Sequence, residues 1–229
     1  MADTITLPGC TPIAGLRMTI AEFQAASDLT VGGALDLSDC TGLTTLPPGL
    51  TVQGWLSLRD CMGLTTLPPG LTVQGRLDLR GCTALTALPP GLTVGSWLNL
   101  SGCTGLTALP DDLTVGGALD LTGCTGLTAL PAGLAVGADL WLTGCTGLTA
   151  LPAGLAVGGR LNLTGCPGLD HLCVGADFRG FKFYRVMMAD GVRVVAGCRN
   201  FTAARAREHW PEGTECRALA EACIKREEG

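Results

Sequence analysis

Aromatic side chains make up only 4% of this chain of 229 residues. Large ring anchors therefore do not fill its core, and many small aliphatic side chains must. No uninterrupted apolar run reaches the roughly 18 residues that a membrane-spanning helix needs. The opening MADTITLPGC has no basic stretch followed by an apolar one, so no secretory leader is expected and a reducing cytoplasm is. Histidine is nearly missing, with His171 and His209 alone. No nucleophile motif, phosphate-binding loop or dinucleotide fingerprint is present. A non-enzymatic protein without a cofactor is the expectation. Cys166, His171 and Cys173 form a C-x4-H-x-C arrangement, but a zinc site wants a fourth ligand, and no metal is expected. Cys198, His209 and Cys216 suggest thiol chemistry, again without a recognisable motif. Lysine is missing from residues 29–172, where Arg59, Arg76, Arg80 and Arg160 are the only basic residues.

What the chain has instead is a period. Cys40, Cys61, Cys82, Cys103, Cys124, Cys145 and Cys166 lie 21 residues apart. Each sits in a unit of the form V-x-G-x-L-x-L-x-x-C-x-x-L-x-x-L-P-x-G-L. The heart of the unit reads ALDLSDCTGL, WLSLRDCMGL, RLDLRGCTAL, WLNLSGCTGL, ALDLTGCTGL, DLWLTGCTGL and RLNLTGCPGL in turn. Self-similarity at such a period is the mark of a solenoid. In L-x-L, successive side chains point to opposite faces. Leu35 and Leu37 are thus expected inside, with Ala34, Asp36 and Ser38 outside, and likewise in each later unit. Seven strands about 4.8 Å apart make a sheet roughly 34 Å long. The proline of each L-P ends any strand there. No unit has room for a helix of three turns.

These seven units closely resemble the leucine-rich repeat, whose consensus carries Asn or Cys after the L-x-L strand. The 21-residue length and the repeated L-P resemble the short bacterial type. The resemblance covers residues 29–172. It implies a right-handed coil with one short parallel strand per repeat, a mostly non-helical convex side and a concave sheet that binds other proteins.

The cysteine column reads as structural. Equivalent residues of stacked units point the same way, which is poor geometry for a disulfide. Zinc ligands usually come in pairs two to four residues apart. The expected state is a buried thiol acting as a small hydrophobe with a weak S–H donor.

The ends of a solenoid need covers. Residues 1–28 read as an N-terminal cap, with Thr19 and Glu22 as a capping box and Ile20, Phe23 and Ala26 facing the first coil. Residues 173–229 read as a ββαα unit. Two strands flank a turn at Ala189-Asp190-Gly191, a helix over 202–210 stops at Pro211, and Thr214 caps a second helix. The segment 178–207 is basic, carrying Arg179, Lys182, Arg185, Arg193, Arg199, Arg205 and Arg207 among Phe181, Phe183 and Tyr184. Nucleic-acid binding by this hairpin is one alternative function; self-association of the solenoid is another.

The outward columns of the repeat are where the units differ. They read Ala34, Trp55, Arg76, Trp97, Ala118, Asp139, Arg160; then Asp36, Ser57, Asp78, Asn99, Asp120, Trp141, Asn162; then Ser38, Arg59, Arg80, Ser101, Thr122, Thr143, Thr164. Three of the four tryptophans fall here, where no core requires them. Trp and Arg are the residue types enriched at binding hot spots. The expected function is a protein-binding scaffold whose partner contacts Trp55, Arg59, Arg76, Asp78, Arg80, Trp97, Asn99 and Trp141. Replacing Trp55, Trp97 and Trp141 together by Ala is expected to leave the melting temperature close to that of the parent; a large drop in a thermal melt would place the rings in the core instead.

Overall fold

The computed structural model describes residues 20–176, 182–188, 191–196 and 199–225. The capping residue Thr19 and the basic hairpin's Arg179, Phe181 and Asp190 lie outside the described residues.

Between Leu29 and Cys166 the chain winds into a parallel β-solenoid with a repeat of 21 residues and no helix. Each coil carries two short strands rather than the single one expected. The first strands, Thr30–Val31, Thr51–Val52, Thr72–Val73, Thr93–Val94, Thr114–Val115, Ala135–Val136 and Ala156–Val157, make one seven-stranded sheet. The second strands, Leu35–Asp36, Leu56–Ser57, Leu77–Asp78, Leu98–Asn99, Leu119–Asp120, Leu140–Trp141 and Leu161–Asn162, make another. A two-residue Thr-Val strand is too short for hydrophobic periodicity to register. It forms because its backbone pairs with the same residues one coil away, Thr51 N donating to Leu29 O at 2.8 Å and Gln53 N to Val31 O at 3.0 Å.

Register is uniform. Leu56 lies on Leu35 and on Leu77, and the column continues through Leu98, Leu119 and Leu140 to Leu161. The second coil shows what each turn contributes to the core: Val52, Leu56, Leu58, Cys61, Leu64, Leu67 and Leu71, all buried. Burying one such leucine contributes roughly 1.5–3 kcal/mol, so the stack is held by repetition of modest terms.

The cysteine column is bonded as well as packed. Cys61 Sγ donates to Leu37 O at 3.0 Å, Cys82 to Leu58 O at 3.0 Å, and Cys103 to Leu79 O at 3.1 Å. Cys124, Cys145 and Cys166 repeat the contact to Leu100, Leu121 and Leu142. Each thiol thus ties its coil to the carbonyl of the coil before. Cys40 departs from the expectation of a free thiol: it is disulfide-bonded, to a partner outside the described residues. It opens the column and has no earlier repeat coil beneath it. No helix among the described residues is long and apolar enough to cross a membrane.

Helix α1 (Ile20–Ala25) buries Phe23 completely in the same core. At the other end a 3₁₀ turn, Pro167–Leu172, leads into a four-stranded antiparallel sheet of Cys173–Ala176, Lys182–Met188, Gly191–Ala196 and Arg199–Thr202. That is two strands more than the hairpin expected. Tyr184, Val186 and Val195 on one face join the solenoid core. Val194, on the opposite face, packs with Ala206, Ala220 and Cys223 of helices α2 (Ala203–His209) and α3 (Glu215–Lys225). Thr202 Oγ1 caps α2 through Arg205 N, and Thr214 Oγ1 caps α3 through Arg217 N, both at 3.2 Å.

Burial pushes the column's thiols up from the ordinary 9.0, Cys61 to about 11 and Cys82, Cys124 and Cys145 to about 12. The unfolded chain ionises its thiols near the ordinary value, whereas the folded chain holds their protons. The stabilisation is therefore complete below about pH 9 and is lost as pH climbs through 11 and 12. Denaturant midpoints taken across pH 7–12 are expected to hold to about pH 9 and then fall steeply; a flat profile would show that the thiols ionise without cost.

Candidate functional site

The outward face of the second sheet is governed by its middle column. Asp36 Oδ1 accepts from Ser38 N at 3.0 Å, Asn99 Oδ1 from Ser101 N at 3.0 Å, Asp120 Oδ1 from Thr122 N at 2.9 Å and Asn162 Oδ1 from Thr164 N at 3.0 Å. Asp78 does the same with Arg80 N at 3.2 Å. An Asp or Asn here folds back onto the backbone two residues on and shapes the turn that follows the strand. Asp78 and Asn99 are 4% and 2% exposed. Of these two expected partner contacts, Asp78 lines the cavity described next and Asn99 does not. Asp36, Asp120 and Asn162 make the same bond and stay half-buried, so the deeper burial of Asp78 comes with the Arg76 and Arg80 side chains packed against it.

Two members of the column abandon that duty, Ser57 and Trp141. Ser57 is small, and its hydroxyl lies 2.6 Å from that of Ser38. Around it opens a cavity of about 750 Å³, walled by Trp55, Arg59, Arg76 and Arg80 and lined also by Asp36 and Asp39. Such a volume is in the range of ligand pockets. Five of the residues expected at a binding surface, Trp55, Arg59, Arg76, Asp78 and Arg80, are thus brought to one site. Trp55 stands 45% exposed. Trp97 and Trp141 are half-buried and meet edge to face, with ring centroids 6.4 Å apart. The Arg76 guanidinium lies 4.3 Å above the Trp97 ring, a favourable cation–π arrangement. Trp141 is therefore a buttress for Trp97 and does not line the cavity.

The arginines are held by carboxylates. Arg59 Nη2 pairs with Asp39 at 3.3 Å and its Nε lies 3.4 Å from Asp60. Arg76 Nη2 donates to Asp78 Oδ2, and Arg80 Nη2 lies 3.7 Å from the same oxygen. One buried carboxylate is shared by two guanidinium groups. Arg76 Nε and Trp97 Nε1 are buried with no acceptor among the described residues.

Asp39 and Asp60 also carry a backbone cost that the sequence reading missed. They sit at φ +60° and +56°, at a position where the five later coils use Gly81, Gly102, Gly123, Gly144 and Gly165. The signal was present: five units read G-C before the cysteine and the first two read D-C. Asp tolerates the left-handed region better than most residues, yet glycine is the default there. Backbone strain of this kind is found at functional sites.

Three cations of the basic C-terminal segment, Lys182, Arg205 and Arg207, are paired, as is Arg217 beyond it. Lys182 Nζ lies 2.6 Å from Asp170, Arg205 pairs with Glu208 at 2.7 Å, and Arg207 and Arg217 both bind Glu221. Hydrogen bonds from Arg207 hold the Glu221 carboxyl down to about 2. No group of His, Cys, Asp and Glu among the described residues could hold a metal ion.

Exchanging both Asp39 and Asp60 for Gly relieves about 1 kcal/mol of left-handed strain at each, against exposed ion pairs to Arg59 worth about 0–1 kcal/mol each. The double variant is expected to melt at or above the parent temperature. A lower midpoint would show that the Arg59 pairs outweigh the strain. No family model, curated protein or solved structure matches this chain.

Proposed function

We infer that the chain is a leucine-rich-repeat-type recognition scaffold whose second sheet binds another protein, without catalysis. The observation that carries this reading is the cavity among Trp55, Arg59, Arg76 and Arg80. It lies where the repeat departs from its own rules, replacing Asx with Ser57 and Gly with Asp39 and Asp60. A face selected only to stack would have kept those columns uniform. Trp and Arg in a recessed, partly desolvated setting are the usual anchors of a protein interface. The covered ends support the same choice. Phe23 is buried at the first coil and the C-terminal sheet joins the core at the last. The stacking edges that self-association would use are thereby occupied. The described cations of the C-terminal unit spend their charge on neighbouring carboxylates, which leaves little for a phosphate backbone.

The test is selection of a displayed random-peptide library on the full chain, run beside a Trp55→Ala/Arg59→Ala variant. Enrichment by the parent that drops about tenfold or more with the variant supports the face as the site, since two anchors of this type contribute above 1 kcal/mol each. Equal enrichment by both proteins would remove this face from consideration.

A further inference from the structure

We propose that the Arg76–Asp78–Arg80 triplet is the receptor for one carboxylate, an acidic side chain on an extended segment of the partner protein. The proposal rests on the protein-binding reading above and names the chemistry that the cavity selects.

The charge count around Asp78 is the first support. Its Oδ2 takes a hydrogen bond from Arg76 and faces Arg80 at 3.7 Å, while its Oδ1 is committed to Arg80 N. Two guanidinium groups and one carboxylate leave one positive charge over. Arg59 faces two acids, Asp39 and Asp60, which leave one negative charge over there, so the positive surplus is confined to the Asp78 end. Asp78 is buried, while the side chains of Arg76 and Arg80 are 40% and 48% exposed and open on the cavity. Both can therefore reach a counter-ion that enters it. A single carboxylate matches one surplus charge, whereas a phosphate group would bring −1.5 to −2.

The second support is the donor inventory. Arg76 Nε and Trp97 Nε1 are buried N–H groups with no acceptor among the described residues. A buried donor left unpaired carries a desolvation cost of about 1–3 kcal/mol. The unmet groups of the lining residues, Arg59 Nε and Arg76 Nε, are donors, so the ligand must bring acceptors. Arg76 is also pre-set, because the Trp97 ring beneath it fixes the plane of its fork. A planar, oriented guanidinium is suited to two-pronged recognition of a carboxylate.

The third support is size. The cavity's lining runs from Asp36 in the first coil to Ser96 in the fourth. Three strand spacings make that about 14 Å, the reach of about four extended residues. Trp55, standing clear at the wall, offers a flat apolar surface for the side chain beside the acidic one.

The experiment uses three synthetic pentapeptide libraries with randomised flanks and a fixed centre of Glu, Gln or phosphoserine, each titrated by fluorescence anisotropy. The proteins are the full chain, Arg80→Gln, and Asp78→Asn. Asn is native to the same column at Asn99 and Asn162, where it makes the same turn bond, so Asp78→Asn keeps the fold. Binding confined to the Glu library is expected. It should weaken about tenfold in Arg80→Gln, the loss of one charge-assisted contact. It should strengthen in Asp78→Asn, where no resident carboxylate competes. Equal binding of the Glu and Gln libraries would overturn the carboxylate assignment while leaving the protein-binding reading intact. So would tighter binding of phosphoserine, or unchanged affinity in either variant. No binding by any library would overturn both.

Discussion

The solenoid depends on one constraint: position n lies directly over position n+21. The pairing of both sheets shows no stagger from coil to coil. Each residue is therefore stacked on its own kind about 4.8 Å away. For an inward leucine that is cost-free. For a buried thiol it supplies a partner, because the carbonyl three residues before the previous cysteine always arrives at the same place. For a charge it is a problem, since like charges directly opposite destabilise a sheet.

The middle outward column solves that problem by alternation. Asp36, Asp78 and Asp120 are separated by Ser57 and Asn99. Carboxylates that would stand about 5 Å apart stand about 10 Å apart instead, near the screening length of physiological salt. The cavity region does the reverse. Asp39 and Asp60 are neighbours in one column, and Arg59 and Arg80 are neighbours in another. They coexist only because Arg59 reaches both acids and Asp78 is shared by Arg76 and Arg80. The first two coils further accept left-handed backbone at an acid where the others use glycine. The first two coils break the glycine rule together and the second breaks the Asx rule as well, which marks this end of the stack as the place where selection acted on something other than stacking.

How much of this the sequence disclosed depends on whether the deciding term was local. The cysteine period and the L-x-L alternation are properties of single columns, and from them the solenoid and its inward leucines were legible. The Thr-Val strands were not, because two residues have no periodicity and owe their form to the coil next door. The outer strands Cys173–Ala176 and Arg199–Thr202 were missed for the same reason: each is four residues long and stands only by pairing with a central strand. Trp55, Arg59, Arg76 and Arg80 were legible as variable outward residues. That Asp78 and Asn99 turn back to the chain, while Asp39 walls the cavity, depends on side-chain geometry that alternation does not carry. The disulfide at Cys40 was hidden by an argument valid for column members among themselves and silent on the column's end.

The tryptophans show how a repeat can build precision from crude parts. Trp141 occupies a position where Asp or Asn would bond the residue two on, and an indole has no acceptor for that bond. What it supplies instead is an edge against Trp97. Trp97 in turn carries Arg76 on its face, and Arg76 holds Asp78. The relay runs from the sixth coil to the third, across a sheet whose own side chains are mostly short. An arginine left to itself samples many rotamers, and fixing it costs up to roughly 2 kcal/mol of entropy at the moment of binding. Here that ordering is done in the free protein by the Trp97 ring. Trp141 is thus a positioning residue, and its distance from the cavity is the reason for its size: a small side chain in the sixth coil could not reach Trp97 in the fourth.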